Sequence, residues 1–210
     1  MLIGSMLAST TTVINLTWVP ENLYFVAATV PTSLKVTVLG EGVIMDLDGA
    51  GILAMSNVRG ISRVANAYLL PLANGVITGK NVEISFTNAV AGVVSLYGYG
   101  ERKGDMYIQT IRQSVLANSG ATFSKFAVLA FPGIVAADTV DIRYHDGLTQ
   151  RYHRDELLGM NMNDQDNTAS YLIDNLEGQI TDVAIVGSAQ TAYLMRYAYP
   201  KEVAASVFDK

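Results

Sequence analysis

Apolar and polar residues alternate in several short stretches of the chain. Thr12–Trp18, Leu34–Leu39, Val82–Phe86 and Val93–Tyr99 are rich in β-branched and aromatic residues, so each can bury one face of a strand and wet the other. Turn signals punctuate them: Gly40-Glu41-Gly42, Asp48-Gly49, Asn74-Gly75, Asp146-Gly147 and Glu177-Gly178. Asp-Gly suits the positive φ values of a two-residue hairpin turn, which predicts that Asp146-Gly147 joins Val140–His145 to Leu148–His153. Many short strands between such turns predict an all-β sandwich or barrel. Two short helices are expected within this texture, the first of them alternatively a tether between the units. Asp105 is a candidate cap for one in which Tyr107, Ile111 and Val115 recur every four residues before Gly120, although Ile111–Ala121 also reads as a repeat of Ile3–Thr12. The second is a brief segment over Arg154–Met160.

The pattern also occurs twice. Phe86–Gly100 lies over Val186–Pro200 without a gap at a separation of 100, matching Tyr97 to Tyr197 and Tyr99 to Tyr199. Upstream, Tyr68, Gly75, Ile77 and Thr78 match Tyr171, Gly178, Ile180 and Thr181 at 103. Phe25, Leu34, Val36 and Val38 match Phe131, Val140, Ile142 and Tyr144 at 106, and Ser5, Leu7 and Ala8 match Ser114, Leu116 and Ala117 at 109. A separation that falls in chain order is what shortened loops in a second copy would leave. The expectation is therefore two similar β-sandwich, jelly-roll-like units, residues 1–104 and 105–210, the second beginning with a short connector.

Half of the 210 residues are apolar and 16% are charged, an unusually thin charged coat, so some apolar surface is expected to meet another subunit. The net charge of −5 and the absence of a basic field give no support to specific nucleic-acid binding. With no cysteine, disulfides, thiolate nucleophiles and Cys-ligated zinc are excluded. The N-terminus has no basic residue before its short apolar stretch, which argues against a secretory signal.

Chemistry is sparse. The only histidines, His145 and His153, stand on a hairpin next to Asp146, Asp155 and Glu156, and the hairpin register keeps their rings apart, so they are read as surface residues. Asp46 and Asp48 share one strand face. Asp164 and Asp166 lie in an oxygen-rich loop that suits calcium, a reading weighed against the ordinary use of Asn and Asp in turns. Gly98–Gly104 lacks the Lys-Ser/Thr ending of a phosphate loop. Arg102, Lys103 and Arg112 form a modest basic patch, read as a solvated connector. Tyr97, Tyr99, Tyr197 and Tyr199 could stack a sugar or a base, but their recurrence in both copies favours packing within the core or between units; Trp18 is a further core or interface anchor. No catalytic constellation and no cofactor are expected.

The two units and the strand-turn-strand segments Asp138–Gly147 and Val183–Tyr199 give the chain a resemblance, over Thr12–Gly100 and Thr122–Pro200, to the double jelly-roll capsid proteins of tailless icosahedral, membrane-containing viruses. The resemblance implies a homo-oligomeric structural protein of the virion. It would be a trimer of pseudo-sixfold outline that contacts other virion proteins and a viral membrane on its inner face. A binding module, such as a phage tail or adhesin sandwich that recognises a glycan, is the alternative.

Overall fold

A computed structural model describes residues 2–8, 11–56, 67–88, 92–117, 120–160 and 171–199. The first half contains β1 (Leu2–Ala8), β2 (Thr11–Val19), β3 (Asn22–Ala27), β4 (Ser33–Val38), β5 (Gly42–Asp48), α1 (Gly49–Ser56), β6 (Ala67–Pro71), β7 (Ile77–Thr87) and β8 (Gly92–Tyr99). The second contains β9 (Tyr107–Val115), β10 (Ala121–Ser124), β11 (Val128–Ala130), β12 (Thr139–Tyr144), β13 (Thr149–His153), α2 (Arg154–Met160), β14 (Leu172–Asp174), β15 (Ile180–Val186) and β16 (Gln190–Ala198).

Each half folds into two four-stranded antiparallel sheets. The first has the orders β1-β8-β3-β6 and β2-β7-β4-β5; the second has β9-β16-β11-β14 and β10-β15-β12-β13. Adding eight to every strand number converts one half into the other, and both halves place a short helix after the fifth strand. Eight strands in two facing sheets with these crossovers make a jelly roll. Alternating burial follows from the strand period: Leu23, Phe25 and Ala27 point inward on β3 and Leu34, Val36 and Val38 on β4.

The ladders fix which residues correspond. β4 sets Ser33 opposite Asp48 and β12 sets Thr139 opposite His153, so Leu34 falls on Val140 while the residues preceding the two helices coincide. Carried through β7 and β15, this anchor puts Phe86 on Ile185 and Ile14 on Phe123, the latter separated by 109. Ser5 and Ser114 keep that separation in the other sheet, where Ser5 pairs with Ser95 and Ser114 with Thr191. Tyr97 then falls on Tyr193, Tyr24 on Ala130 and Phe25 on Phe131, which restores the separation of 106 found at Leu34 and Val140. Tyr68 pairs with Phe25, and Tyr171 accepts the Phe131 amide at 3.4 Å, so these tyrosines correspond too.

Two expectations are thereby corrected. Tyr97 corresponds to Tyr193 and Tyr99 to Met195, not to Tyr197 and Tyr199, because the last strand carries a separation of 96. Ile180 sits beside Tyr144 as Val82 sits beside Val38, so the matches of Ile77 and Thr78 with Ile180 and Thr181 are also displaced. A third correction concerns Tyr107–Val115, which is strand β9 and no helix. Residues four apart also share one face of a strand, and the competing reading, a repeat of the N-terminal segment, is the one realised.

Candidate functional site

The two units meet along a seam. β5 runs parallel to β9, with Met45 opposite Thr110, and merges two of the four-stranded sheets into one of eight strands, β14-β11-β16-β9-β5-β4-β7-β2. The outer face of the second unit's half is covered by the first unit: Val128, Ala130, Leu172, Tyr193 and Met195 belong to the same apolar cluster as Leu34, Ile52 and Met55. Their other face, through Leu129, Phe131, Ala192 and Leu194, lies in the second unit's own core.

Helix α1 is the element that makes this close. Its sequence GAGILAMS has no polar stripe, and Gly51, Ile52, Ala54, Met55 and Ser56 are buried; a helix that is apolar all round belongs between layers. Burying Ile52 and Met55 contributes roughly 1.5–3 kcal/mol each. Asp48 caps the helix, accepting the Gly51 amide at 3.0 Å. Gly51 is required by contact, since a Cβ there would lie 2.3 Å from Cε1 of Tyr193. The Tyr193 hydroxyl donates to Asp48, and burial followed by that hydrogen bond pushes the phenol well above its ordinary range. Arg112 reaches Asp46 at 3.2 Å and Asp48 at 3.7 Å across the seam. The carboxylate pair Asp46 and Asp48 thus serves Arg112, Tyr193 and the α1 cap, while Arg102 and Lys103 are exposed on the connector. Arg102 lies 3.9 Å from Glu21 and donates to the Asn74 carbonyl.

The connector between the units is latched by backbone packing. Asn74 Oδ1 accepts the amides of Asp105 and Met106, both at 3.0 Å, and Asn74 Nδ2 donates to Asp105 at 2.8 Å. Gly75 and Gly104 pass so closely that a Cβ on Gly104 would lie 2.5 Å from the Gly75 carbonyl oxygen. Gly104 therefore serves the chain crossing, and Gly100 is likewise required by contact, since a Cβ there would lie 2.6 Å from Val76 Cγ2.

The tyrosines sit on the outer faces of the sheets, outside the two apolar cores. Tyr97 is half-buried, with its ring 6.0 Å from that of Tyr24, while Tyr99, Tyr197 and Tyr199 are 43%, 50% and 56% exposed. Trp18 is half-buried on the sheet-edge strand β2, opposite Thr78, and lies outside the two core clusters. Val26, 37% exposed, and the partly buried Leu69 extend the outer apolar face around Tyr97.

His145 and His153 lie at opposite ends of the β12–β13 hairpin, both exposed. His145 Nδ1 is 3.3 Å from the Thr181 hydroxyl, and the His153 amide donates to Glu156 at 2.7 Å. The turn differs from expectation: the Gly147 amide donates to Tyr144 and the Tyr144 amide to Leu148, leaving a three-residue loop with Gly147 at φ 88°. Next to it, burial and then the Tyr152 hydroxyl push the Tyr144 phenol up to about 12. Asp164 and Asp166 lie outside the described residues. Among the described residues, no three His, Asp or Glu side chains converge as a metal site. Sequence reasoning missed Asp138, a fully buried carboxylate that accepts from the amides of Val135 and Ser188, the Ser188 hydroxyl and Gln190 Nε2. Four donors offset the cost of burying it, and it fixes the Gly187–Ser188 turn.

Two jelly rolls of one strand order, fused edge to edge through a parallel strand pair, describe a particular architecture. The fold is the double jelly roll. It is similar to the major capsid protein of bacteriophage PM2, with a TM-score of 0.61 and 13% identity across 94% of each chain. The STIV major capsid protein matches with a TM-score of 0.58 and 12% identity, across 100% of this chain and 97% of that one. At these identities the likeness is one of fold. No protein-family model and no curated protein sequence matches the chain.

Proposed function

We propose that the chain is a structural building block of a virus shell, located in the virion, that works by assembling with copies of itself as a trimer. The carrying observation is the double jelly roll shared with two major capsid proteins. The exposed apolar side chains Val26, Tyr99, Tyr197 and Tyr199, on a chain with a thin charged coat, support the same reading, since they suit contacts between subunits better than a free monomer. The division into units 1–104 and 105–210, the contact roles of Trp18, Tyr97, Tyr99, Tyr197 and Tyr199, and an inner face that meets other virion proteins and a viral membrane belong to this proposal. Two similar units per copy give three copies six similar outward contacts, which is how a ring of such subunits tiles a surface.

Sedimentation at micromolar concentration, followed by electron microscopy of the heaviest species, tests the reading. Trimers or larger closed assemblies are expected. A stable monomer at every concentration overturns it, and a monomer that binds a defined glycan replaces it with a binding module.

A further inference from the structure

We propose that a cleft at one end of the second jelly roll is a carbohydrate site, and that the sugar it takes carries a free amine.

The cleft lies between the end of β12 and the turn that joins β14 to β15. Its volume is about 410 Å³, and Tyr144, Asp174, Leu176, Glu177 and Gln179 line it together with the buried Ile180. Small-molecule sites commonly span roughly 300–1,000 Å³. Asn175 holds the rim in place. Its amide donates to the Ala127 carbonyl at 2.8 Å, and its Nδ2 donates to the carbonyls of Phe126 at 3.3 Å and Ile180 at 3.0 Å. Its Oδ1 accepts the Ile180 amide at 2.7 Å, and its carbonyl accepts the Gly178 amide at 2.9 Å, so both ends of the turn are tied to one residue. A rim fixed before binding costs little to order.

The polar atoms left over select the guest. Those bonds exhaust the Asn175 side chain. The Tyr152 hydroxyl donates to Gln150, so the Tyr144 hydroxyl is the donor towards Tyr152 at 3.5 Å and is spent as well. Asp174 Oδ1 accepts the Leu176 amide at 2.7 Å and Glu177 Oε2 accepts from Gln179 Nε2 at 3.1 Å. Each carboxylate keeps its second oxygen, and Gln179 keeps its side-chain carbonyl. All three are acceptors, and no Lys, Arg or His lines the cleft. The guest must therefore be rich in donors, and an anion is rejected. Sugar hydroxyls and an ammonium group meet this demand, the ammonium through charge-assisted bonds to the carboxylates. Leu176, 57% exposed, and the half-buried Tyr144 ring offer the apolar contact that the C–H face of a pyranose needs. A bare metal ion fits less well, because no third carboxylate or imidazole converges on Asp174 and Glu177 among the described residues.

The first jelly roll uses the corresponding place differently. There the Leu72 amide donates to the Glu21 carbonyl as the Asn175 amide donates to that of Ala127, so Leu72 and Asn175 correspond. The chain beyond Leu72 is clasped by the connector, with the Val76 amide donating to Arg102 at 2.7 Å and the Gly104 amide to Val76 at 2.9 Å. Among the described residues, no segment crosses Leu176–Gly178 in this way. Each copy thus carries one such site, on its second unit.

Saturation-transfer NMR on the native protein tests the site, with methyl glucosaminide, methyl glucoside and methyl glucuronide as probes of one size and three charges. Transfer should be strongest to the glucosaminide, weaker to the glucoside and absent for the glucuronide, and added salt should narrow the gap. The double variant Asp174→Asn, Glu177→Gln keeps the side-chain acceptors and removes the charge, so it should bind the glucosaminide roughly ten-fold or more weakly. Leu176→Lys, which sets a cation on the exposed rim, should abolish the preference for the amine by a separate route. No transfer to the glucosaminide, a glucuronide that binds as well, or binding unchanged in both variants overturns the site. Sedimentation of the same samples reads assembly separately: the variants should assemble as the parent does, and a monomer that still binds the amino sugar overturns the shell-forming reading while this site stands.

Discussion

The outer faces of the sheets β1-β8-β3-β6 and β9-β16-β11-β14 carry a tyrosine at the same ladder position, and only one of them is covered within the chain. Tyr193 is 1% exposed and bonded to Asp48, whereas its counterpart Tyr97 leans on Tyr24 and stays half-open. The difference lies in the neighbours. Gly51 and Ala130 leave room for Tyr193 to be overlaid by helix α1, while Tyr97 has the larger Tyr24 at the place of Ala130. The same aromatic residue type is thus interior in one sheet and half-open in the other.

The comparison breaks most visibly at the tyrosines themselves. Tyr193→Ala should lower unfolding stability by about 3–5 kcal/mol, the range for truncating a buried aromatic, while Tyr97→Ala should cost under about 1 kcal/mol in the dissociated protein. Urea unfolding of both variants checks this, and equal costs would mean that the two faces are packed alike. A smaller effect is expected at Gly51, where leucine must displace the Tyr193 ring and should cost about 1–3 kcal/mol by overpacking. The smallest concerns pH. A phenol whose pKa is raised by folding contributes stability that is fully present below its unfolded value and lost as the pH rises through the folded one. For Tyr144 that window runs from the ordinary 10.0 to about 12, and Tyr193 titrates in the same alkaline direction. The thermal midpoint should fall across this range beyond the loss seen in a Tyr144→Phe, Tyr193→Phe variant, in which both phenols are gone; identical profiles would contradict it.

Much of the architecture was legible because strands announce themselves by alternation and turns by Gly with Asn or Asp. The second helix was placed at Arg154–Met160, where it occurs. Helix α1 was not found: with an apolar residue or glycine at nearly every position, GAGILAMS has no face to detect, and Asp48-Gly49 reads equally as a turn when Asp48 is a cap. The duplication was visible, but its last strand was misaligned by four residues. Tyr193 and Tyr197 are themselves four apart, and a slip of four preserves the inward and outward alternation, so identity of side chains cannot distinguish the two registers. Only backbone pairing can. The seam was out of reach for a related reason, since β5 and β9 are joined by a parallel pairing between segments more than fifty residues apart, to which neither segment carries a local signal.

The merged eight-stranded sheet also bears on how the molecule comes apart. Tyr107, Ile108, Val128, Tyr193 and Met195 are contributed by the second unit, yet they complete the apolar cluster built around Leu34, Ile52 and Met55 of the first. Neither half can melt without stripping a wall from the other. The two jelly rolls are therefore expected to unfold as one cooperative body, with a single calorimetric transition in which both are lost together.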